Sequence, residues 1–269
     1  MVPRTLAFVI GAQRSGTTWL HDYLKNHPEV STGLAKEGNY FAHLYRGVDD
    51  PRYDAAGSSR RAFPLPRRVR AAKSVLVAGG HPRVRALRAA ALRGDFVGFF
   101  GTGAHAPVLA DVSSYYSLLD AEAYRAMAAA HPETRFILLL RDPVARAWSD
   151  VNWRAGGDAS AAAERALDEG GIPARSDYGR MLDVLDAAVP DERKLVLFHE
   201  HLFTDTAMAR LTDFLGITFC AGDYGRAVNT GGAGDAPEAW AAQMRSNLAP
   251  VYDVVRARFG DRVPSVWRD

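Results

Sequence analysis

The sequence predicts an α/β fold of three layers, with a central, mostly parallel sheet flanked by helices. Short apolar segments of strand length alternate with amphipathic segments of helix length along the chain, which is the pattern of a parallel sheet with crossover helices. The run Phe136–Leu140 is apolar throughout, as expected of a strand that is buried on both faces. Because 269 residues suffice for one such fold with its own core, we expect a single domain over 1–269.

The first strand is predicted over Leu6–Ile10, and a loop with glycines at positions 11 and 16 joins it to a helix. The apolar positions of that helix share one face: Trp19, Leu20, Tyr23 and Leu24. At such a junction, unpaired backbone N–H groups and the positive end of the helix dipole point at one spot. We therefore expect the segment Gly11–Trp19 to bind an anion.

The spacing Gly11-x-x-x-x-Gly16 is that of the nucleotide-binding P-loop, which continues with Lys and then Ser or Thr. Thr17 stands where that motif has its lysine, and the single positive charge of the loop lies upstream, at Arg14. Without the lysine, a nucleoside triphosphatase loses its main contact with the terminal phosphates. The sequence therefore favours a P-loop-like fold with a phosphate-containing ligand other than ATP.

These loop residues resemble those of a known enzyme family. The run Gln13-Arg14-Ser15-Gly16-Thr17-Thr18-Trp19 is similar to the 5′-phosphosulfate-binding loop of sulfotransferases that use 3′-phosphoadenosine 5′-phosphosulfate (PAPS). The resemblance implies that all seven residues contribute to donor binding and that Arg14 is also catalytic. For Trp19 two alternatives stand side by side, packing against the donor's adenine or packing in the core.

The segment Lys36-Glu-Gly-Asn-Tyr-Phe41 resembles the family branch of heparan sulfate and bacterial sulfotransferases. In that branch the glutamate after the lysine is the catalytic base, so the resemblance implies this role for Glu37. The alternative is a helix entrance in which Tyr40 and Phe41 pack inward.

Between Ala55 and Gly94 the chain has ten basic residues and no acidic one, although the net charge of the whole chain is only +2. Two short helices are predicted here, as an acceptor-side lid or insertion. The alternatives to a solvated lid are an electrostatic funnel for an anionic substrate and peripheral contact with an anionic membrane. No nucleic-acid-binding motif accompanies the charge, so nucleic acid is not an expected partner.

Further strands are predicted over Phe96–Phe100 and Val108–Asp111. The second runs into Asp111-Val-Ser-Ser-Tyr-Tyr116, which loosely matches a family pattern of an acidic residue, lysine, serine and tyrosine. Val112 replaces the lysine, which weakens the case for a glycosaminoglycan acceptor. Asp111 and the loop residue His105 are the alternates to Glu37 as base.

A second motif follows the buried strand. Asp142 is suited to cap a helix that begins at Pro143, and Ser149 lies one or two turns into that helix. Arg141 and Ser149 resemble the family's pair of residues that binds the 3′-phosphate of PAPS. A guanidinium offers bidentate hydrogen bonds to a phosphate, and a hydroxyl adds a neutral donor.

The remaining elements continue the alternation of helices and strands. They are predicted over Leu118–Ala130, Trp153–Gly171, Asp177–Ala188, Lys194–Glu200, Thr206–Leu215 and Ala236–Phe259. A short strand is expected over Val30–Leu34, Asp120 or a neighbour is expected to begin the helix 118–130, and the helix 236–259 is expected to kink at Pro250. Many family members have a basic segment near Asn229–Gly234 that closes over the 3′-phosphate. This chain has only Arg226 and glycines there, so the enclosure of the adenosine end stays open.

The bulk properties indicate a cytoplasmic protein. A lone cysteine, Cys220, excludes an intramolecular disulfide and fits a reducing compartment. No apolar run approaches the ~20 residues of a membrane-spanning helix, and the first strand begins about five residues from Met1, which leaves no room for a signal peptide. No Cys/His cluster with metal-ligand spacing occurs, so no metal is expected.

The resemblance implies transfer of a sulfuryl group from PAPS to a hydroxyl or amine, with release of 3′-phosphoadenosine 5′-phosphate (PAP). A small-molecule, carbohydrate or lipid acceptor would suit. The rival enzyme is a P-loop nucleotide kinase, for which Asp111 and Asp142 are the only candidate metal-binding aspartates. A non-catalytic nucleotide-binding or docking module is the other alternative, which the joint presence of Arg14, Glu37 and Arg141 disfavours.

Overall fold

The computed structural model describes residues 4–33, 36–45, 96, 100, 105–155, 159–168, 173–225 and 235–267. The predictions for the arginine-rich span 55–94, for Arg226 and for the loop 229–234 lie outside the described residues. They stay predictions.

The described strands form one sheet in the order β2-β3-β1-β4-β5, and all four pairings are parallel. The strands are β1 Thr5–Gly11, β2 Val30–Ser31, β3 Val108–Val112, β4 Thr134–Leu140 and β5 Lys194–Phe198. Helices lie around this sheet. The α/β fold class with a parallel central sheet is thus confirmed.

Helices connect and follow the strands in the described part of the chain. They are α1 Thr17–Asn26, α2 Tyr40–Tyr45, α3 Ala121–Ala128, α4 Pro143–Ala155, α5 Ala159–Asp168, α6 Tyr178–Asp186, α7 His199–Leu202, α8 Asp205–Leu215, α9 Glu238–Asn247 and α10 Ala249–Phe259. None of the helices in these ranges has the length and apolarity to span a bilayer.

The central strand β1 is buried on both faces and divides two cores. Leu6, Phe8 and Ile10 belong to one core, with residues of α2–α6, α9 and α10. Ala7 and Val9 belong to the other, with residues of α1, α7 and α8. This alternation is the two-residue period of a strand, and it places helices on both sides of the sheet.

Several predicted boundaries need correction. Phe96 lies in a turn and Phe100 in a 3₁₀ turn, so neither end of the predicted strand 96–100 is extended. Strand β2 has only two residues, because the chain soon reaches Gly33 with a left-handed φ of 72°. The long helix predicted over 236–259 is two helices, which meet at Leu248 just before Pro250.

The predicted helix caps are confirmed. Asp120 accepts a hydrogen bond from the backbone N–H of Ala123 at 3.0 Å and caps α3. Asp142 accepts one from the backbone N–H of Ala145 at 2.8 Å and caps α4 in the same way. The second cap positions the helix that carries Ser149.

Candidate active site

The predicted site residues follow strands that end at one edge of the sheet. Strands β1, β3 and β4 end at Gly11, Val112 and Leu140. In a parallel sheet the carboxyl ends of neighbouring strands lie at the same edge, where open α/β sheets bind their ligands. The loop 11–19, the segment after β3 and Arg141 are therefore neighbours.

Gly16 opens helix α1 and leaves its first turn uncapped. Its φ is 94°, and no side chain caps the helix. The first N–H groups of a helix have no partner within it, so these N–H groups are available to an anion. A Cβ at position 16 would lie 2.9 Å from His199 Nδ1 and 3.0 Å from Leu202 Cδ2. Both the backbone conformation and the packing thus require glycine here.

Arg14 connects the loop to helix α4. Its Nε donates a hydrogen bond to Ser149 Oγ at 3.1 Å. Its guanidinium lies 5.9 Å from the centre of the Trp153 ring, which is 63% exposed. Burial lowers the pKa of Arg14, the charge of Asp150 opposes this, and the charge of Arg141 adds to it. An arginine nevertheless stays charged in proteins, so Arg14 presents a half-buried positive charge beside the uncapped helix.

Arg141 holds the same loop from the other side. Its Nη1 donates to the backbone carbonyl of Arg14 at 3.1 Å, and its own carbonyl accepts from the Tyr178 hydroxyl at 2.8 Å. Burial lowers the pKa of Arg141, and the charge of Glu200 opposes this most strongly. The two motifs, which lie 127 and 135 residues apart at these contacts, thus meet through two hydrogen bonds.

The start of helix α4 is fixed by groups from distant segments. The backbone N–H of Asp142 donates to Glu200 Oε1 at 2.8 Å, and the Tyr252 hydroxyl donates to Asp142 Oδ2 at 2.7 Å. Burial, followed by the carboxylate of Asp142, raises the pKa of Tyr252. The other oxygen of Asp142, Oδ1, caps the helix. Asp142 therefore helps to fix the position of α4 and of Ser149 on it.

Glu37 lies at the end of β3, next to the loop. Its backbone N–H donates to the Val112 carbonyl at 2.9 Å. Its carboxylate accepts from the N–H and hydroxyl of Ser114 at 2.9 and 2.7 Å and from Lys36 Nζ at 2.9 Å. The side chain is 30% exposed. The Ser114 carbonyl lies 3.0 Å from where a Cβ of Gly11 would be, so Ser114 lies close to both this carboxylate and the start of the loop.

The two alternate bases differ from Glu37 in position or in burial. His105 is exposed and precedes β3, at the amino edge of the sheet, opposite the loop. Asp111 is 0% exposed, and its two carboxylate oxygens each accept a hydrogen bond at 2.6 Å, from Ser113 Oγ and from the Tyr116 hydroxyl. Burial raises the pKa of Asp111 to about 6, against these two hydrogen bonds.

The other loop residues differ in how deeply they are buried. Gln13, Ser15 and Thr17 are buried, whereas Thr18 is partly exposed. Trp19 is 5% exposed, stacks with Tyr23 and Tyr224 and donates through Nε1 to the Asp223 carbonyl at 3.1 Å. Of the two roles stated for Trp19, this placement favours the core.

Two residues at the site were not singled out from the sequence. His199 lies against Gly16, and burial together with the charge of Arg141 lowers its pKa to about 4. Glu200 accepts from the N–H of Asp142, and burial raises its pKa. The sequence signal that could have identified them is their position directly after β5, because the carboxyl end of β5 lies at the same edge of the sheet as the site. Within the described ranges, no group of three or more His, Cys, Asp or Glu residues is arranged to hold a metal ion.

Comparison with known proteins identifies the class. A family model described as the sulfotransferase family matches residues 7–220, so this chain belongs to the sulfotransferase family. The match confirms the resemblance inferred from the loop and from the Arg141–Ser149 motif. No curated protein sequence matches the chain.

Two solved structures show the same fold. The sulfotransferase from Alicyclobacillus acidocaldarius is similar with a TM-score of 0.63 and 19% identity, over 100% of both chains. The sulfotransferase domain of the olefin synthase from Synechococcus PCC 7002 is similar with a TM-score of 0.54 and 19% identity. That similarity covers 96% of this chain and 95% of the domain.

Proposed function

We propose that this sulfotransferase moves a sulfuryl group from PAPS to a hydroxyl or amine of an acceptor and releases PAP. The observation that carries the proposal is the junction of the two motifs. Arg14 donates to Ser149, while Arg141 holds the Arg14 carbonyl. A donor with phosphate groups at both its 5′ and 3′ positions needs two anion sites, and these residues supply two that are adjacent.

The residues suit the donor. The uncapped first turn of α1 offers N–H groups to the 5′-phosphosulfate, together with Arg14, Thr17 and Thr18. Arg141 and Ser149 are partly exposed and would bind the 3′-phosphate, the group that distinguishes PAPS from ATP. Gln13, Ser15 and Trp19 would support the loop from the inside.

The chemistry needs alignment, charge stabilisation and one proton acceptor. The acceptor oxygen or nitrogen forms a bond to sulfur while the bond from sulfur to the bridging phosphate oxygen breaks. Arg14 would stabilise the charge that develops on that bridging oxygen. Glu37 would take the acceptor proton, and a positioned base of this kind contributes about 10²–10⁴ in rate.

The rest of the proposed function concerns the acceptor and the setting. The acceptor is a small molecule, a carbohydrate or a lipid. It would enter beside the arginine-rich segment 55–94, which is the proposed lid or insertion of a single domain. A cytoplasmic location is part of the proposal, and the lone Cys220 supports it because it fits a reducing compartment. The kinase alternative is not favoured, because both oxygens of its candidate metal ligands, Asp111 and Asp142, accept hydrogen bonds from protein groups.

Incubation of the protein with ³⁵S-labelled PAPS and a metabolite extract of bacterial cells tests the proposal. We expect a labelled product, which mass spectrometry then identifies, and stoichiometric release of PAP. Calorimetry gives the donor preference. PAP should bind more tightly than adenosine 5′-phosphate, which lacks the 3′-phosphate. Equal affinity for the two, or magnesium-dependent binding of ATP, would contradict the proposal and favour the kinase.

A further inference from the structure

The segment that carries Glu37 has left-handed backbone at two residues, one of which is Glu37 itself. Glu37 and Asn39 have φ values of 57° and 52°. Left-handed backbone at a residue such as Glu37 costs about 1–3 kcal/mol and persists only where the surroundings impose it, whereas asparagine adopts it more readily. Contacts from outside the segment therefore decide where the carboxylate of Glu37 lies.

Two side-chain hydroxyl groups accept hydrogen bonds from backbone N–H groups of this segment. The N–H of Asn39 donates to Ser113 Oγ at 3.0 Å, and the N–H of Phe41 donates to the Tyr116 hydroxyl at 3.2 Å. Ser113 and Tyr116 are both 0% exposed. Each hydroxyl therefore accepts a hydrogen bond from the segment at a position that water does not reach.

Asp111 determines the direction of both hydroxyl groups. Ser113 Oγ and the Tyr116 hydroxyl each donate to one carboxylate oxygen of Asp111 at 2.6 Å. An ionised carboxylate only accepts hydrogen bonds, and a hydroxyl has a single hydrogen to donate. Because both hydrogens are committed to Asp111, both hydroxyl oxygens keep their lone pairs for the N–H groups of the segment.

We infer that Asp111 is a positioning residue that acts through Ser113 and Tyr116 to hold Glu37 in place as the base. We call these three residues the anchor. Asp111 is fully buried, so it acts through the two hydroxyl groups and not on a substrate. The role assigned to Glu37 rests on the proposed function, whereas the anchoring of the segment rests on geometry alone.

The anchor explains why a carboxylate occupies a position without solvent. An asparagine there would present one amide donor in place of an acceptor. One of the two hydroxyl groups would then lose the acceptor for its hydrogen, at a cost of about 1–3 kcal/mol for a buried unsatisfied group. Burial raises the pKa of Asp111 to about 6, so at neutral pH the residue is ionised, as the anchor requires.

A comparison of Tyr116→Phe with Tyr124→Phe tests the inference. Each change removes one buried hydroxyl and keeps the ring, and both side chains are 0% exposed. The Tyr124 hydroxyl donates to the Tyr116 carbonyl at 2.8 Å. Tyr124→Phe therefore removes a buried hydrogen bond to backbone that lies outside the segment, and it is the matched control. The measurements are PAP release from PAPS with a fixed amount of metabolite extract, and amide hydrogen exchange of 36–45.

We expect Tyr116→Phe to lower kcat by about 10- to 100-fold, as for a small displacement of a catalytic group, without a change in the KM for PAPS. The amides of Asn39 and Phe41 should exchange faster. Tyr124→Phe should match the wild type in both respects. In a Glu37→Gln background Tyr116→Phe should cause little further loss, because the base that the anchor positions is already gone.

Equal losses in the two tyrosine variants would overturn the inference, as would an undiminished further loss in the Glu37→Gln background. If Tyr116→Phe does not fold, Ser113→Ala removes the other hydroxyl, with the same expectation for kcat and for the Asn39 amide. If the wild type releases no PAP, the proposed function fails by itself. Amide exchange still tests the anchor in that case. Unchanged exchange at Asn39 and Phe41 in Tyr116→Phe would refute it.

Discussion

Arg14 occupies the point at which the two motifs of the chain meet. Its side chain donates to Ser149 on α4, and its backbone carbonyl accepts from Arg141. Its φ of 68° is unusual for a residue with a Cβ. Such strain is tolerated at functional sites when neighbouring contacts impose it, and here Arg141 supplies one of these contacts.

Replacement of Arg14 by Ala should lower kcat by about 10²–10³-fold, the usual loss when one group that stabilises developing charge is removed. The fold should persist, with the thermal midpoint of unfolding as the readout. Arg14→Lys is the matched variant, since it keeps the charge and loses the Nε contact with Ser149. Near-normal turnover in the alanine variant would contradict the catalytic role.

Replacement of Arg141 by Ala should weaken PAP binding by about 10- to 100-fold, because a hydrogen bond to a charged group contributes about 1.5–3 kcal/mol. Binding of adenosine 5′-phosphate should weaken much less, since it lacks the 3′-phosphate. Calorimetry of both nucleotides gives the comparison. Equal losses for the two would mean that Arg141 acts only by holding the Arg14 carbonyl.

Replacement of Glu37 by Gln should lower kcat by about 10²–10⁴-fold at neutral pH, because the amide cannot accept the proton. The affinity for PAP should stay the same, as Glu37 contacts Ser114 and Lys36 and not the donor loop. Steady-state rates and calorimetry together make the measurement. Retained activity would move the base role to another residue.

At the scale of elements, the site depends on how strand β1 passes into helix α1. Gly16 has a left-handed φ and is packed against the short helix α7 through His199 and Leu202. Helix α4 is held at its start by Glu200 and Tyr252. Both helices that bear the residues proposed to bind the donor are thus fixed by elements that come later in the chain.

Gly16→Ala and Gly216→Ala form a matched pair. Both glycines have a left-handed φ, of 94° and 68°, but a Cβ at Gly216 would meet nothing within 4 Å. We expect Gly216→Ala to lower the free energy of unfolding by about 1–2 kcal/mol through strain alone. Gly16→Ala should lower it further, by about 1–3 kcal/mol of overpacking, and should also weaken PAP binding.

Urea unfolding and calorimetry measure this pair. If the two variants were equally stable and bound PAP equally well, the contact of the loop with His199 would have no energetic role. A loss of PAP binding only in Gly16→Ala would tie the geometry of the loop to the donor.

At the scale of the whole molecule, buried ionisable groups make stability depend on pH in opposing ways. The pKa of His199 falls from 6.5 to about 4 in the folded protein, chiefly through burial. Between these values the unfolded state binds more protons, so His199 removes stability as the pH falls from 6.5 to 4. Asp111, with its pKa raised from 3.8 to about 6, contributes stability at low pH that is lost as the pH rises.

His199→Gln should reduce the loss of stability between pH 6.5 and pH 4 by up to about 3 kcal/mol. The free energy of unfolding, measured by urea titration at several pH values, gives the slope. His105→Gln is the control, because that side chain is exposed. An identical pH slope in wild type and His199→Gln would show that His199 is already accessible to protons in the folded state.

The local sequence determined most of the elements and the composition of the loop that we propose as the donor site. Apolar periodicity predicted β1, β4 and most helices, because burial on one or both faces dictates the spacing of apolar residues. The residues Gln13–Trp19, Arg141 and Ser149 could be identified as candidate site residues from the sequence, because each motif lies within a short stretch of the chain. The caps Asp120 and Asp142 were readable because capping is a contact within one turn.

Only the tertiary structure decided what lies next to what. The hydrogen bond from Arg14 to Ser149, the position of His199 against Gly16, and the burial of Asp111 under the segment of Glu37 join residues far apart in the chain. Such contacts follow from the order of the strands in the sheet, which local periodicity does not contain. For the same reason the sequence left His105 and Asp111 open as alternate bases, and only the structure shows that His105 is exposed before β3 whereas Asp111 is fully buried.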